Sequence, residues 1–381
     1  MRTIALLQPP RIVFGAGSAS TCVDLFVQRE ARKILLVTSA SVLPQVQFLV
    51  DALAKAGTEL SDTFLVKPEP TNAACERFLE RARSQQIDAV LGIGGGSALD
   101  VAKLLAALIK SEQSVTDVFG SDLVQKRKLF LVCLPTTAGT GSEVSPNAVL
   151  LDEDEELKKA VISPHLVPDA AIIDPQLSIN VPADVTAATG LDALTHCIEA
   201  FANKFSHPML DLYALQGIRL ISSNLLQAVR NGRDLEARTT LALGSLYGGL
   251  CLGPVNTAAV HALAYPLGGR FHVAHGVSNA VLLPHVLQFN ISHAPERYAE
   301  IARAIGVNGE SSARGCAERG VQELSALARN CGVPTRLSDL RIPRDAIPWM
   351  ASAAMKVTRL LKNNVRPLTE QDAIQIYDST W

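Results

Sequence analysis

Four short apolar runs in the first half of the chain, KILLVTS at 33–39, ELSDTFLVK at 59–67, DAVLGIGGGS at 88–97 and KLFLVCLPTT at 128–137, alternate with amphipathic stretches at 43–56 and 73–86. Apolar runs of strand length separated by roughly 10–15 residues of helical pattern read as βαβ units. Such units build a mainly parallel sheet with helices on both faces, because a buried parallel strand needs both of its sides covered. A further extended pair, KKAVIS and DAAIIDP, closes the region near Asp174 and Pro175. Beyond Pro182 the alternation stops. Ala/Leu-rich helical patterns follow at 184–201, 207–230, 235–252, 255–265, 294–305, 321–331 and 344–355, punctuated by Gly and Pro. This order predicts an α/β domain over residues 1–180 and an all-α domain over residues 181–381.

A chain of 381 residues exceeds what one hydrophobic core usually serves, in agreement with two domains. With 35 Lys and Arg against 37 Asp and Glu, and no long basic run, the charge balance gives no basis for a nucleic-acid partner or an anionic membrane. The opening MRTIALLQPPRIVFG has too short an apolar core and too early a proline pair for a secretory signal. No apolar run approaches the ~20 residues of a membrane span. The seven cysteines are scattered without a CxxC pair, the pattern of reduced structural thiols. The expectation is a cytoplasmic protein acting on small molecules.

From Asp88 to Ser97 an apolar strand runs into three glycines, and SALDVAKLLAAL continues as a helix. A turn without side chains at a helix N-terminus lets backbone donors reach a pyrophosphate. The run lacks the spaced GxGxxG order, and a plain strand-to-helix turn is the alternative. LPTTAGTGSE at 134–143 follows another buried strand and gathers hydroxyls and glycines in one loop, suited to phosphate, ribose or a polar ring edge. Two such loops at the C-terminal ends of parallel strands fall where open α/β sheets bind ligands, which favours a nucleotide site.

Asp192 and His196, four apart in GLDALTHCIE, share a helix face at a spacing that lets both grip one ion. Taken alone, the pair reads equally as a local cap. His261 and His275 in HALAYPLGGRFHVAHG would stand about 21 Å apart on one unbroken helix, so they converge only if the helix stops between them. Pro266, Gly268 and Gly269 predict that stop. Asp192, His196, His261 and His275 then form a metal set of one carboxylate and three imidazoles. The plain alternative is satisfied core and helix-end histidines.

Together, RIVFGAGS at 11–18, GGGSALD at 94–100, PTTAGTGSEV at 135–144, GLDALTHCIE at 190–199 and HALAYPLGGRFHVAHG at 261–276 resemble the iron-dependent, or group III, alcohol dehydrogenases, in the family's order and over most of the chain. The resemblance implies an N-terminal Rossmann-like α/β dinucleotide domain, an all-α C-terminal metal-binding domain and an active site in the cleft between them. It also implies Fe2+ or Zn2+, NAD or NADP, and a homo-oligomer. It assigns Asp192, His196, His261 and His275 to the metal. Gly94, Gly95, Gly96 and Ser97 fall to the pyrophosphate, with Asp100 nearby; Thr136, Thr137, Thr140 and Ser142 to the nucleotide and nicotinamide; Lys158 to the ribose or adenine side. The implied reaction is hydride transfer between NAD(P) and an alcohol or hydroxy acid, with the metal as Lewis acid on the substrate oxygen.

Three positions depart from the family's pattern. Ala98 stands where members commonly have proline. Ser39 stands where many NAD-preferring members carry an aspartate that accepts hydrogen bonds from the adenosine ribose; without that carboxylate a 2′-phosphate meets no repulsion, so NADP is open beside NAD. Tyr265 stands where several aldehyde-reducing members have a second histidine. Tyr265 and His272 are rival proton relays, and an amphipathic wall is the plain alternative for the tyrosine. Tyrosine-bearing relatives, including the hydroxyacid-oxoacid transhydrogenases, and Arg270 beside the metal segment keep a hydroxy acid or a maleylacetate-like oxo acid open as substrate. A dehydroquinate-synthase-like lyase would surround a phosphate-bearing substrate with several Lys and Arg, which the metal region lacks apart from Arg270. Complete ligand sets argue against a non-catalytic binding module.

Overall fold

The computed structural model describes residues 2–381, which fall into two compact units. Leu7–Asn180 forms the first; Val181–Trp381, joined by the described residues before Leu7, forms the second. The opening residues thus belong with the helices rather than with the sheet that follows them in sequence. Arg2 anchors them by donating to the carbonyls of Phe205 and Pro254, each at 3.1 Å.

The first unit contains strands β1 (Arg11–Phe14), β2 (Lys33–Thr38), β3 (Glu59–Leu65), β4 (Ala89–Gly94), β5 (Gly120–Ser121), β6 (Phe130–Pro135), β7 (Asn147–Asp152), β8 (Leu157–Ile162) and β9 (Ala170–Ile173). Its main helices are α1 (Thr21–Gln28), α2 (Gln47–Lys55), α3 (Asn72–Arg83) and α4 (Gly96–Leu108). Six strands make a parallel sheet in the order β1-β9-β6-β4-β2-β3. The period of two sorts their side chains onto two buried faces. Leu35, Val37, Val90, Leu131 and Cys133 pack with α3 and α4, while Ile34, Leu36, Leu91, Ile93, Val132 and Leu134 pack with α1 and α2. Burial on both sides is why these strands read as unbroken apolar runs.

KKAVIS and DAAIIDP do not pair with each other. β8 runs antiparallel to β7 and parallel to β5 in a separate three-stranded sheet, whereas β9 inserts between β1 and β6. Adjacent extended segments carry no record of which sheet each joins.

Lys103 on α4 is fully buried and clamps the loop after β6 to that helix. Its ammonium donates to the hydroxyl and carbonyl of Ser142, both at 2.9 Å, to the Ser145 carbonyl at 3.2 Å and to the Asn147 carbonyl, and lies 3.6 Å from Asp100. A buried ammonium without such partners would cost several kcal/mol. Glu143 in the same loop is 3% exposed. Burial raises its carboxyl to about 7, against the opposing pull of its own backbone N–H and of Lys103.

The second unit is helical: α5 (Ala183–Phe201), α6 (Pro208–Arg230), α7 (Leu235–Leu252), α8 (Ala259–Phe271), α9 (His275–Ile291), α10 (Pro295–Ala304), α11 (Ala313–Asn330), α12 (Ile347–Met355), α13 (Thr358–Leu361) and α14 (Glu370–Thr380). From Thr186 to Phe201, α5 is buried almost all round, with α6, α7 and α9 packed against it. A helix buried on every side is a core element rather than a surface one.

The expected helix stop at Pro266 is not where the chain breaks. α8 passes through Pro266 and ends at Phe271. Proline removes one helical hydrogen bond, and packing against α9 and α12 holds the rest of this helix together. The break falls at residues 272–274, where His272 takes a left-handed φ of 53° as the cap and Val273 N–H donates to Leu267 O at 3.2 Å. α9 then starts at His275, pressed against α5. A Cβ on Gly276 would stand 2.1 Å from the carbonyl oxygen of Ala188, so only glycine permits this approach.

All seven cysteines are buried, unpaired thiols. Among the described residues, no helix is long and apolar enough to cross a membrane.

Two stability measurements test this packing. Gly276→Ala must push α9 off the α5 backbone, an overpacking worth at least about 2 kcal/mol, so its urea midpoint should fall clearly below that of the parent protein; an unchanged midpoint would contradict the close approach. Glu143, an acid whose folded pKa lies near 7 against an ordinary 4.5, contributes stability below the lower value that is lost as pH rises through the higher. Between pH 5 and pH 8 the parent should therefore lose about 2–3 kcal/mol more than Glu143→Gln, whose amide does not titrate. Equal losses in the two proteins would refute the shift.

Candidate active site

The helical unit gathers the acidic and imidazole residues of three helices at one point. α5 carries Asp192 and His196 one turn apart, α8 carries His261, and α9 opens with His275. Asp192 Oδ1 lies 3.6 Å from His261 Nε2, 3.6 Å from His275 Nε2 and 3.9 Å from His196 Nε2. Ligand atoms of Asp192, His261 and His275 all fall within 4.8 Å of one another. His196 stands beside this triad, its ring stacked on His261 at a centroid distance of 4.8 Å. Donors placed ~2.1 Å from one divalent ion in tetrahedral array are themselves ~3.4 Å apart, so the separations suit such an ion. Asp192, His196 and His261 are buried; His275 is partly exposed and leaves the cluster open on its side.

The charges in this cluster are mutually dependent. Burial alone would raise the Asp192 carboxyl, but His196, His275 and His261 outweigh it and hold the group well below the usual carboxylate range. Burial would likewise lower His261, yet the adjacent carboxylates of Asp192 and Glu199 outweigh it and raise it to about 9. Because imidazole nitrogens must be unprotonated to bind a metal, a divalent ion at this cluster would compete with protons.

Two further side chains complete the cluster, neither of them among the residues expected from the sequence. Glu199, on α5, reaches His261 Nδ1 at 2.6 Å. Asn279, one turn into α9, directs its amide nitrogen to Asp192 Oδ1 at 2.7 Å, with His261 Nε2 at 3.1 Å and His275 Nε2 at 3.4 Å. Its Oδ1 is buried without a hydrogen-bond partner. Helical spacing was the available signal: Glu199 lies seven residues after Asp192 and Asn279 four after His275, both on ligand-bearing faces.

The other residues singled out around the metal segment separate. Tyr265 is buried with Ala262 and Leu360, and its ring centroid lies 6.3 Å from that of His275. His272 is the exposed left-handed cap of α8. The Arg270 guanidinium lies 4.5 Å from the centre of the Trp349 ring.

In the α/β unit the glycine turn joins β4 to α4. Gly95 is the N-cap and supplies no side chain to the first-turn N–H groups, and no acidic residue stands in that turn. Free donors at the positive end of a helix dipole suit an anion. The turn lies against the loop after β6: Thr136 N–H donates to Gly94 O at 2.9 Å, and a Cβ on Gly96 would meet Thr140 Cγ2 at 2.5 Å. Thr137 flanks Gly95. Ser97 Oγ accepts from Glu69 N–H at 3.3 Å.

Asp100 and Ser142 are turned into the protein. The Ser142 hydroxyl donates to Asp100, whose second oxygen accepts from Val149 N–H at 2.9 Å. Lys158 forms a 2.7 Å ion pair with Glu69. Ser39 lies just past β2, its hydroxyl 3.1 Å from that of Ser41.

Comparison with known proteins covers both units. Residues 9–175 match the family described as iron-containing alcohol dehydrogenase, and residues 186–381 match the C-terminal region of the Fe-containing alcohol dehydrogenase family. The chain is 39% identical to long-chain-alcohol dehydrogenase 1 of Geobacillus thermodenitrificans, covering 100% of this chain and 98% of that protein. It is 33% identical to the NAD-dependent methanol dehydrogenase of Bacillus methanolicus, covering 97% of each. A crystal structure of a 1,3-propanediol oxidoreductase superposes with a TM-score of 0.95 at 35% identity, covering all of both chains. With matches running through both units and donor residues converging as described, this chain belongs to the iron-containing alcohol dehydrogenase family.

Proposed function

We propose that this protein is a divalent-metal-dependent dehydrogenase that uses a nicotinamide nucleotide to interconvert a primary alcohol or diol and its aldehyde. The observation that carries the reading is the approach of His261 Nε2 and His275 Nε2 to 3.6 Å from one buried carboxylate oxygen, with His196 alongside. Asp192, His196, His261 and His275 would hold the ion, iron(II) by family likeness, with zinc(II) the competing choice for mixed N/O donors. A divalent cation bound there supplies Lewis acidity toward a substrate oxygen, favouring its deprotonated form near neutral pH. Relatives named for long-chain alcohols, methanol and 1,3-propanediol support an alcohol rather than a hydroxy acid.

The chain's own residues account for the remaining tasks. The open N-terminus of α4 at Gly95, Gly96 and Ser97 would bind the pyrophosphate, and Thr136, Thr137 and Thr140 would border the nucleotide. Asp100, Ser142 and Lys103 act behind them by holding the loop in place, and Lys158 with Glu69 would edge the ribose. Partly exposed His275 marks the side from which substrate would approach the cluster. Tyr265, its ring centroid 6.3 Å from that of His275, would carry a proton to or from the substrate oxygen, with His272 the rival relay.

Three measurements test the reading. Protein purified without oxygen should contain one divalent ion per chain, lose activity on chelation and regain it with Fe2+ or Zn2+; full activity in metal-free protein would end the proposal. Because Ser39 presents no carboxylate to a 2′-phosphate, the protein should use NADP at least as well as NAD, and Ser39→Asp should move the ratio of kcat/KM toward NAD by about tenfold, ~1.4 kcal/mol. A large NAD preference in the parent protein would defeat this. Tyr265→Phe should lower kcat by about 10²-fold if the hydroxyl conducts the proton, whereas an unaltered kcat would make the ring a wall.

A further inference from the structure

Glu199 is an acid with an unusual pair of partners. It is 4% exposed and lies two helical turns beyond Asp192 on α5. Each of its carboxylate oxygens takes one donor from the first turn of α8. Oε1 accepts from Val260 N–H at 2.6 Å, and Oε2 lies 2.6 Å from His261 Nδ1. Helix α8 has no cap of its own, because its N-cap is Ala258, so the carboxylate reaching across from α5 supplies one. An ionised carboxylate can only accept hydrogen bonds. The proton on His261 therefore sits on Nδ1, and Nε2, which faces Asp192, is the ring nitrogen left for a cation.

We infer that Glu199 is a positioning residue for the metal: it fixes the tautomer and ring orientation of His261 and, through Val260, the entry of α8 beside α5. The inference rests on the metal reading above and adds a residue outside the ligand set. The arrangement is the carboxylate–histidine–metal relay in which an outer partner sets an inner ligand and raises its basicity. Here the same carboxylate also holds the backbone of the preceding residue. Glutamine is nearly isosteric at this position, but because the two donors face different oxygens of Glu199, its NH2 would oppose either Val260 N–H or His261 Nδ1–H.

The experiment measures metal binding rather than turnover. Metal-free parent protein and Glu199→Gln are titrated with Co2+ against a chromophoric chelator, well below their melting temperatures, and the visible spectrum of bound Co2+ is recorded. Glu199→Gln should bind about 10- to 100-fold more weakly and show shifted ligand-field bands, while Glu199→Asp should recover part of the affinity. Parent-like affinity and spectrum in Glu199→Gln would overturn the inference while leaving the metal reading intact. Failure of the parent protein itself to bind Co2+ would instead overturn the metal reading. Should Glu199→Gln not fold, nitrogen-15 correlation spectra of Zn2+-loaded parent protein decide the matter: His261 should carry its proton on Nδ1 and its metal on Nε2, and the reverse would overturn the inference.

Discussion

A carboxylate buried inside a core helix is the constraint around which the helical unit is built. Asp192 is 2% exposed on α5, a helix with almost no solvent-facing side. A charge taken so far from water is tolerated only when paired and hydrogen-bonded. Its partners come from other helices: His261 from α8, His275 and Asn279 from α9, with only His196 supplied by α5 itself. Positions that would be unremarkable elsewhere follow from this need. The glycine at 276 lets α9 touch the α5 backbone, and the cap at His272 turns the chain in time for His275 to face inward.

The α/β unit solves the same problem with the opposite sign. Lys103 is a buried cation, and the oxygens that satisfy it belong to Ser142, Ser145 and Asn147, with Asp100 adjacent. In meeting that demand the loop after β6 is drawn against α4, beside a helix start whose backbone donors carry no side-chain cap. One unit thus gathers imidazoles around a buried anion, and the other uses a buried cation to steady the turn at the start of α4. The chemistry proposed for the protein needs both.

Residue types and spacings were legible where they report on local geometry. The four-residue step from Asp192 to His196 and the glycine turn after β4 fall where helix and strand periods put them. Partnerships were less legible. Asp100 and Ser142, assigned by resemblance to the nucleotide site, bond to each other, Asp100 also takes the Val149 N–H of β7, and Lys158 is engaged by Glu69 from a distant segment. Nothing local marks Glu199, because an acid at the end of a helical motif has the pattern of a solvated carboxylate and its two donors lie on α8.

By itself the sequence determined the succession of a parallel sheet and a helical half, and it marked four of the residues that converge at Asp192, because periodicity and motif spacing are local properties of the chain. Only the tertiary structure decided that α8 runs on through Pro266, that β8 and β9 part into different sheets, and that one carboxylate on α5 governs a histidine on α8. Each of these depends on what a segment packs against. A proline's missing hydrogen bond, a strand's two free edges and a carboxylate's lone pairs all find their partners in remote parts of the chain, and no pattern of neighbouring residues records them.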